Sequence, residues 1–341
     1  MKLVRTLAAA LLAAFACAAS AQDVTLKMHT FMSPQSNVWL NMLTPWMEKV
    51  TKESGGRIKF QTFPLMQLGG TPPQLYDQVK DGVADVVWTL PGYTAGRFPT
   101  TEVFELPFMF TNADAVSRAL WDYAQGPGKG DFKDVHVVAV HVHGPGVFHT
   151  KDKQIKTLAD LKDMKVRAPT RLTNRMLASL GASPVGMPLP AIPEAINKGV
   201  IEGALNPWEV VTSIRLPEIV KFHTETDPKY PALYTAVFIL AMNKAKYDSL
   251  PADLKKVIDA NSGAETSAFL GRAQQAGDAP ARKVAADRNN TIYTIPAAEL
   301  DAWRKASQPV YDGWIKEMSD KGMDGKAMLE QAQSLIRKHT K

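Results

Sequence analysis

Stretches of strict apolar and polar alternation take turns along this chain with stretches whose apolar residues recur every three or four positions. Val24, Leu26 and Met28 alternate as a half-buried strand does, and Val38 to Val50 carries the spacing of an amphipathic helix that Pro45 should kink. Gly55-Gly56 stops that helix, and Arg57 to Phe63 alternates again. Strand, helix, strand in this order begins a doubly wound α/β domain. A helix with Leu75 and Val79 on one face comes next, followed by Gly82 as a stop, a strand from Ala84 to Trp88 and a turn at Leu90-Pro91-Gly92. The β-branched run Val135 to Val142 is a further strand, and Gly144-Pro145-Gly146 breaks the pattern where the chain is expected to cross into a second domain.

Beyond the break, Lys165 to Arg167 is a short strand ended by Ala168-Pro169, and Thr170 is suited to cap a helix through Leu180. A helix from Ile192 to Lys198 stops at Gly199, Tyr234 to Met242 is a strand, and weak apolar spacing from Ser262 to Asp287 suits a long helix crossing both domains. The chain also echoes itself. Lys80-Asp81-Gly82-Val83-Ala84-Asp85 resembles Asn197-Lys198-Gly199-Val200-Ile201-Glu202, which sets Thr89-Leu90-Pro91 opposite Asn206-Pro207-Trp208. If both copies are a helix feeding a buried strand, the matched loops sit at strand carboxyl ends, where open α/β sheets bind ligands. Two such domains face to face enclose a cleft. Gly-Val after a polar helix is also ordinary punctuation between a helix and a strand, so spacing alone leaves the echo open.

The N-terminus changes the compartment. Lys2 and Arg5 precede a short apolar run, Leu7 to Ala19, that ends in Ala19-Ser20-Ala21. This is the layout of a cleavable secretory signal, residues 1–21, with the mature protein starting at Gln22. The run is too short for a membrane span, and no later stretch is apolar enough to be one. The single cysteine, Cys17, lies inside the signal, and Ala14-Phe15-Ala16 before it lacks the Leu usual in a lipidation site. A large cysteine-free secreted chain suits a bacterial periplasm. Loss of Lys2 and Arg5 lowers the formal charge from +6 to +4, spread through mixed-sign helices; a small anion fits this better than nucleic acid.

The sequence has no G-x-S-x-G, H-E-x-x-H, Walker or dinucleotide fingerprint. His136, His141, His143 and His149 cluster, and His141 with His143 would share a strand face as zinc ligands do, but no carboxylate motif accompanies them. Val166-Arg167-Ala168-Pro169-Thr170 sets a permanent cation at a strand end beside a helix N-terminus, an arrangement that favours anions. A lone arginine at such a place is ordinarily a surface salt-bridge residue.

Its company argues otherwise. The chain resembles the solute-binding subunits of TRAP transporters, the DctP family, over essentially its whole mature length. The resemblance rests on Leu161-Lys162-Asp163-Met164-Lys165-Val166-Arg167-Ala168-Pro169, Leu180-Gly181-Ala182-Ser183-Pro184-Val185, Gly199-Val200-Ile201-Glu202-Gly203, Asn206-Pro207, Phe104-Glu105-Leu106-Pro107-Phe108 and Met242-Asn243-Lys244. It implies a two-domain α/β periplasmic binding protein with a cleft that closes on ligand and several hinge crossings. The expected boundaries are 22–145 with 236–275, and 146–235 with 276–341. It further implies a monomer that hands a small organic acid to the small and large membrane subunits of a transporter. No catalytic residue, cofactor or metal is expected, and the protein is not itself embedded in the membrane.

The resemblance carries the carboxylate-binding arginine onto Arg167, whose fork would make two charge-assisted hydrogen bonds, and the polar cleft residue onto Asn206, whose amide would add a third. Trp208 and Trp88 would wall the cleft, with Tyr93, Phe148, Phe31 and His29 as further candidates. There is one departure. Many members carry a second arginine in a Gly-Phe-Arg stretch where this chain has Gly146-Val147-Phe148-His149. A second carboxylate would lack a partner, at a cost of several kcal/mol. A monocarboxylate with an apolar, aromatic body such as benzoylformate or mandelate therefore fits. The alternative is a C4-dicarboxylate or keto acid whose second polar group meets Arg171, Arg175 or His149. From other classes come a zinc-dependent hydrolase using His141 and His143, and a sensor domain, which would need a membrane or signalling segment.

Overall fold

The alternating segments assemble into two separate sheets in the computed structural model, which describes residues 23–340. The signal, its cleavage after Ala21 and the alternative at Cys17 lie outside those residues. Four strands precede the break at Gly144-Pro145, namely β1 (Val24–His29), β2 (Ile58–Phe63), β3 (Val86–Thr89) and β4 (Val135–Val142). After it come β5 (Gly146–Thr150), β6 (Lys165–Ala168), β7 (Ser183–Gly186), β8 (Gly203–Pro207) and β9 (Phe222–Thr226), then β10 (Val237–Asn243) and β11 (Thr291–Ile295). Pairing sorts them as β2-β1-β3-β10-β4 and β11-β9-β5-β8-β6-β7. The polypeptide thus changes sheet at Gly144-Pro145-Gly146, returns for β10, and leaves again for β11.

Local chemistry accounts for where the elements begin. The helix expected from Val38 is π-helical over Trp39–Leu43 and α-helical over Thr44–Glu53, with Pro45 in the first α turn. The wider turn accommodates the missing proline N–H and its ring. The strand expected at Ala84 starts at Val86, because the Asp85 carboxylate itself accepts the Lys27 N–H, at 2.8 Å. β10 is buried along its entire length between β3 and β4, as a strand covered on both faces must be.

Gly82 and Gly199, the aligned glycines of the internal echo, take left-handed φ values of 79° and 69°. Each ends a short helix, Leu75–Lys80 or Ile192–Asn197, where a side chain would be strained. The strands that follow, β3 and β8, end facing the same cavity. The long crossing helix is in fact two, Ala264–Ala276 and Asp278–Asp287, joined at Gly277. The first packs on β4 and on helix Ala113–Gln125, the second on the short helix Trp208–Val211. The expected division put residues 276–341 with the second unit. The last helix, Gly325–His339, packs along Ala113–Gln125 beside the first sheet, burying Met328, Ala332 and Ile336 and pairing His339 with Asp122 at 2.9 Å.

Close packing at the change of sheet gives a test. Gly146 donates its N–H to the Tyr234 carbonyl at 3.0 Å, and a Cβ on it would lie 1.9 Å from the Tyr234 ring. Gly146→Ala is expected to lose about 1–3 kcal/mol by overpacking, read as a lower urea midpoint, and the cost should shrink when Tyr234→Leu is made in the same chain. An unchanged midpoint would mean that the ring moves aside freely.

Candidate functional site

The cavity between the sheets has two chemically different sides. Phe31, just after β1, Trp88 on β3 and Phe238 on β10 come from the first sheet, and Arg167 on β6 and Asn206 on β8 from the second. Trp88 and Phe238 stack at 4.6 Å with only 10° between their planes, and Phe31 lies 5.6 Å from Trp88 and 5.7 Å from Tyr93. The space is narrow, about 400 Å³ including its mouth, and its aromatic walls suit a flat, apolar body.

The polar side is set by strand pairing. β6 and β8 run parallel with Arg167 opposite Ala204, which brings the guanidinium to the end of β8. Nε donates to the Met187 carbonyl at 2.9 Å, and Nη1 donates to the Leu205 carbonyl at 3.0 Å and to Asn206 Oδ1 at 3.1 Å. That bond turns the Asn206 amide so that its Nδ2 is a buried donor without a protein partner; the Tyr234 hydroxyl is in the same condition. Pro169 and Thr170 end the strand, and Thr170 caps helix Arg171–Ser179 in a reciprocal box with Thr173.

Arg167 is only 2 % exposed, and among the described residues no carboxylate lies within ion-pair distance of it. Burial lowers its pKa, opposed by the Tyr93 and Tyr234 hydroxyls. A buried cation facing only neutral dipoles is a costly arrangement that an anion relieves. The expected two-pronged grip is modified, however. Nε and Nη1 are engaged with protein acceptors, so Nη2, Asn206 Nδ2 and the Tyr234 hydroxyl are the donors left for a carboxylate.

Other expected residues lie elsewhere. Phe148 pairs with Leu205, one position out of step with the Val147 and Asn206 pair, so the pleat sends its ring to the opposite face, against Trp303 at 5.9 Å. Trp208 turns away and donates from Nε1 to Glu225 at 3.0 Å. His29 is buried and takes the Leu68 N–H at Nε2, at 3.4 Å. Arg171 is held between Glu102, with Nε to Oε2 at 2.7 Å, and Glu317, with Nη1 to Oε1 at 2.8 Å, and Arg175 also pairs with Glu317. Neither cation is brought to Arg167.

The histidines are built into the protein's own hydrogen bonding. His141 Nε2 accepts from Trp88 Nε1 at 2.8 Å, and His143 Nδ1 bonds the Gly144 carbonyl. Burial lowers both pKa values, to about 3 and about 4, so both rings are neutral. Behind Asn206, Asn290 donates to His223 Nε2 at 3.1 Å, the two Nδ1 atoms of His223 and His149 meet at 2.7 Å, and His149 Nε2 bonds the Asn206 carbonyl at 3.2 Å. This relay is complete when both rings are neutral, and burial lowers both, His223 to about 4. Its consequence is a fixed backbone under the Asn206 amide. His136 stacks on Tyr247 at 3.6 Å, away from the cavity.

Several wall residues were not anticipated as such: Tyr234, Phe238, Leu189, Glu209 and Gln274. Tyr234 and Phe238 fall in the strand expected at Tyr234 to Met242, which begins at Val237, but alternation cannot tell a cleft wall from a core. Tyr93, which was anticipated, accepts the Leu189 N–H at 3.0 Å and so closes the slot from the far side.

The model of the bacterial extracellular solute-binding proteins, family 7 (DctP), matches residues 29–317. A TRAP solute-binding protein from Rhodoferax ferrireducens, solved with copurified benzoate, is 61% identical and superposes with a TM-score of 0.92, covering 93% of this chain and 98% of its own. A marine metagenome TRAP solute-binding protein specific for aromatic acid ligands, solved with 3-hydroxybenzoate, is 46% identical at a TM-score of 0.92, with 94% and 100% covered. A Bordetella bronchiseptica TRAP periplasmic solute-binding protein with bound (R)- and (S)-mandelate is 28% identical at 0.85, with 92% and 99% covered.

Proposed function

This chain belongs to the DctP family of bacterial extracellular solute-binding proteins, and from that premise we propose that it captures an aromatic monocarboxylate in the periplasm for a TRAP-type transporter. The observation that carries the reading is one buried, unpaired guanidinium at the edge of a slot lined largely by aromatic and aliphatic side chains. The acid's carboxylate accepts from Arg167 Nη2, Asn206 Nδ2 and the Tyr234 hydroxyl, and its ring enters between Phe31, Trp88 and Phe238. Two units, roughly 22–145 with 236–275 and 146–235 with the residues up to about Asp320, close on it about the crossing at Gly144-Pro145-Gly146, each contributing one side of the cavity.

The remaining features follow from that role. The protein works as a monomer without catalysis, cofactor or metal, is exported by cleavage after Ala21, and hands its ligand to two membrane subunits. Among the described residues no helix is long and apolar enough to cross a membrane. Benzoate in a 61% identical relative and mandelates in a more distant one support an aromatic acid as cargo.

A melting screen tests the ligand class. Binding to the native state alone adds RT ln(1 + [L]/Kd), about 2.7 kcal/mol at a hundredfold excess, so benzoate and mandelate are expected to raise the melting temperature and succinate to leave it unchanged. A shift with succinate and none with the aromatic acids would favour the dicarboxylate alternative.

A further inference from the structure

The cavity contains a second polar group that the carboxylate grip does not use. Glu209 and Gln274 both line it, exposed by only 2 % and 1 %. Gln274 Nε2 donates to Glu209 Oε1 at 2.7 Å, while Glu209 Oε2 and Gln274 Oε1 are buried with no hydrogen-bond partner in range, the Asn37 side chain lying beside the carboxyl. Glu209 stands in the short helix Trp208–Val211 directly after β8, and its N–H is fixed by Asp278 Oδ1 at 2.9 Å. Gln274 belongs to helix Ala264–Ala276, which packs on β4 of the other sheet. The couple therefore joins the two sides of the cleft. Among the described residues no ion pair or hydrogen bond links it to Arg167.

We propose that Glu209 and Gln274 read a hydroxyl group on the ring of the bound acid, at a position away from its carboxylate. The proposal rests on Arg167 holding that carboxylate. Burial raises Glu209 to about 8, so at neutral pH its carboxyl keeps a proton. With the proton on Oε2, every group is satisfied in a closed circuit: Gln274 Nε2 donates to Glu209 Oε1, Oε2–H donates to the ligand oxygen, and the ligand O–H donates to Gln274 Oε1. A phenolic hydroxyl is both donor and acceptor and completes the circuit. A bare ring leaves a buried donor, Glu209 Oε2–H, and a buried acceptor, Gln274 Oε1, unmatched, and a second carboxylate meets Gln274 Oε1 with no proton to offer it. The couple thus selects hydroxylated aromatic acids and also rejects dicarboxylates.

Calorimetry with benzoate, 3-hydroxybenzoate and 4-hydroxybenzoate tests this on the mature protein, its Glu209→Gln and Gln274→Met variants, and Arg167→Ala, each checked for folding by circular dichroism. Matching one buried donor and one buried acceptor should make at least one hydroxy acid bind more than about fivefold tighter than benzoate. Glu209→Gln, whose amide N–H replaces the carboxyl proton, should keep that preference; Gln274→Met should bring it below about fivefold. A wild-type preference below that threshold, or one that survives Gln274→Met, overturns the proposal. Benzoate binding that is lost in Arg167→Ala leaves the carboxylate site standing in either event, whereas benzoate binding that persists there overturns the carboxylate site itself.

Discussion

Arg167→Ala is expected to lower affinity for an aromatic acid by about two to three powers of ten, yet to leave the ligand-free protein melting within about 3 °C of wild type. The two outcomes come from one geometry. With ligand bound, the change strips a buried carboxylate of its cation; without ligand, it removes a cation that has no ionic partner within reach. The carbonyls of Met187 and Leu205 lose a donor, at about 1 kcal/mol each after rehydration through the cleft, and relief from burying an uncompensated charge offsets that loss. Arg167→Lys keeps the charge but cannot bond both carbonyls, turn the Asn206 amide and still reach the ligand. It should fall between wild type and alanine. Calorimetry on the folded variants decides it: a loss under about tenfold would mean that the carboxylate site lies elsewhere.

Arg171→Met should give the opposite pattern. Arg171 sits on the first turn of helix Arg171–Ser179, and its charge is shared by Glu102 and Glu317. Glu102 is only 4% exposed. Burial raises its pKa while Arg171 holds it down, so removing the guanidinium is expected to raise it further. That limits the expected loss to about 3 kcal/mol. The sign with pH follows: a carboxyl whose folded pKa is raised stabilises the fold below its unfolded value and less so as pH rises, so the variant should be weaker at pH 8 than at pH 5. Denaturant melts measure this, and calorimetry below the transition should find ligand affinity within about threefold of wild type, as for sites without shared partners. If affinity fell as in Arg167→Ala, Arg171 would belong to the ligand site and a second acid group would regain a partner.

The contrast between these arginines, four residues apart on one segment, shows where sequence stops deciding. Alternation, β-branched runs and capping residues act within a few positions, so β1, β2, β4, the Thr170 cap and the glycine stops at Gly82 and Gly199 were legible from local spacing. The motifs around Arg167 and Asn206 were legible by resemblance, and the parallel pairing of β6 with β8 joins them across 39 positions. Register was not legible. One step along β5 sends Phe148 to Trp303 rather than to the cavity, because successive side chains of a strand take opposite faces. Nor was the fate of a charge legible: Arg171 is neutralised by Glu102 and Glu317, 69 and 146 positions away, while Arg167 meets carbonyls, an amide and tyrosine hydroxyls but no carboxylate among the described residues. Tyr234, Glu209 and Gln274 carry no local mark because each acts through partners from another part of the chain. The sequence by itself determined most of the elements and, by resemblance, the family; the tertiary structure alone decided which cation stays unpaired and which rings face it, since both depend on contacts between residues far apart in the chain.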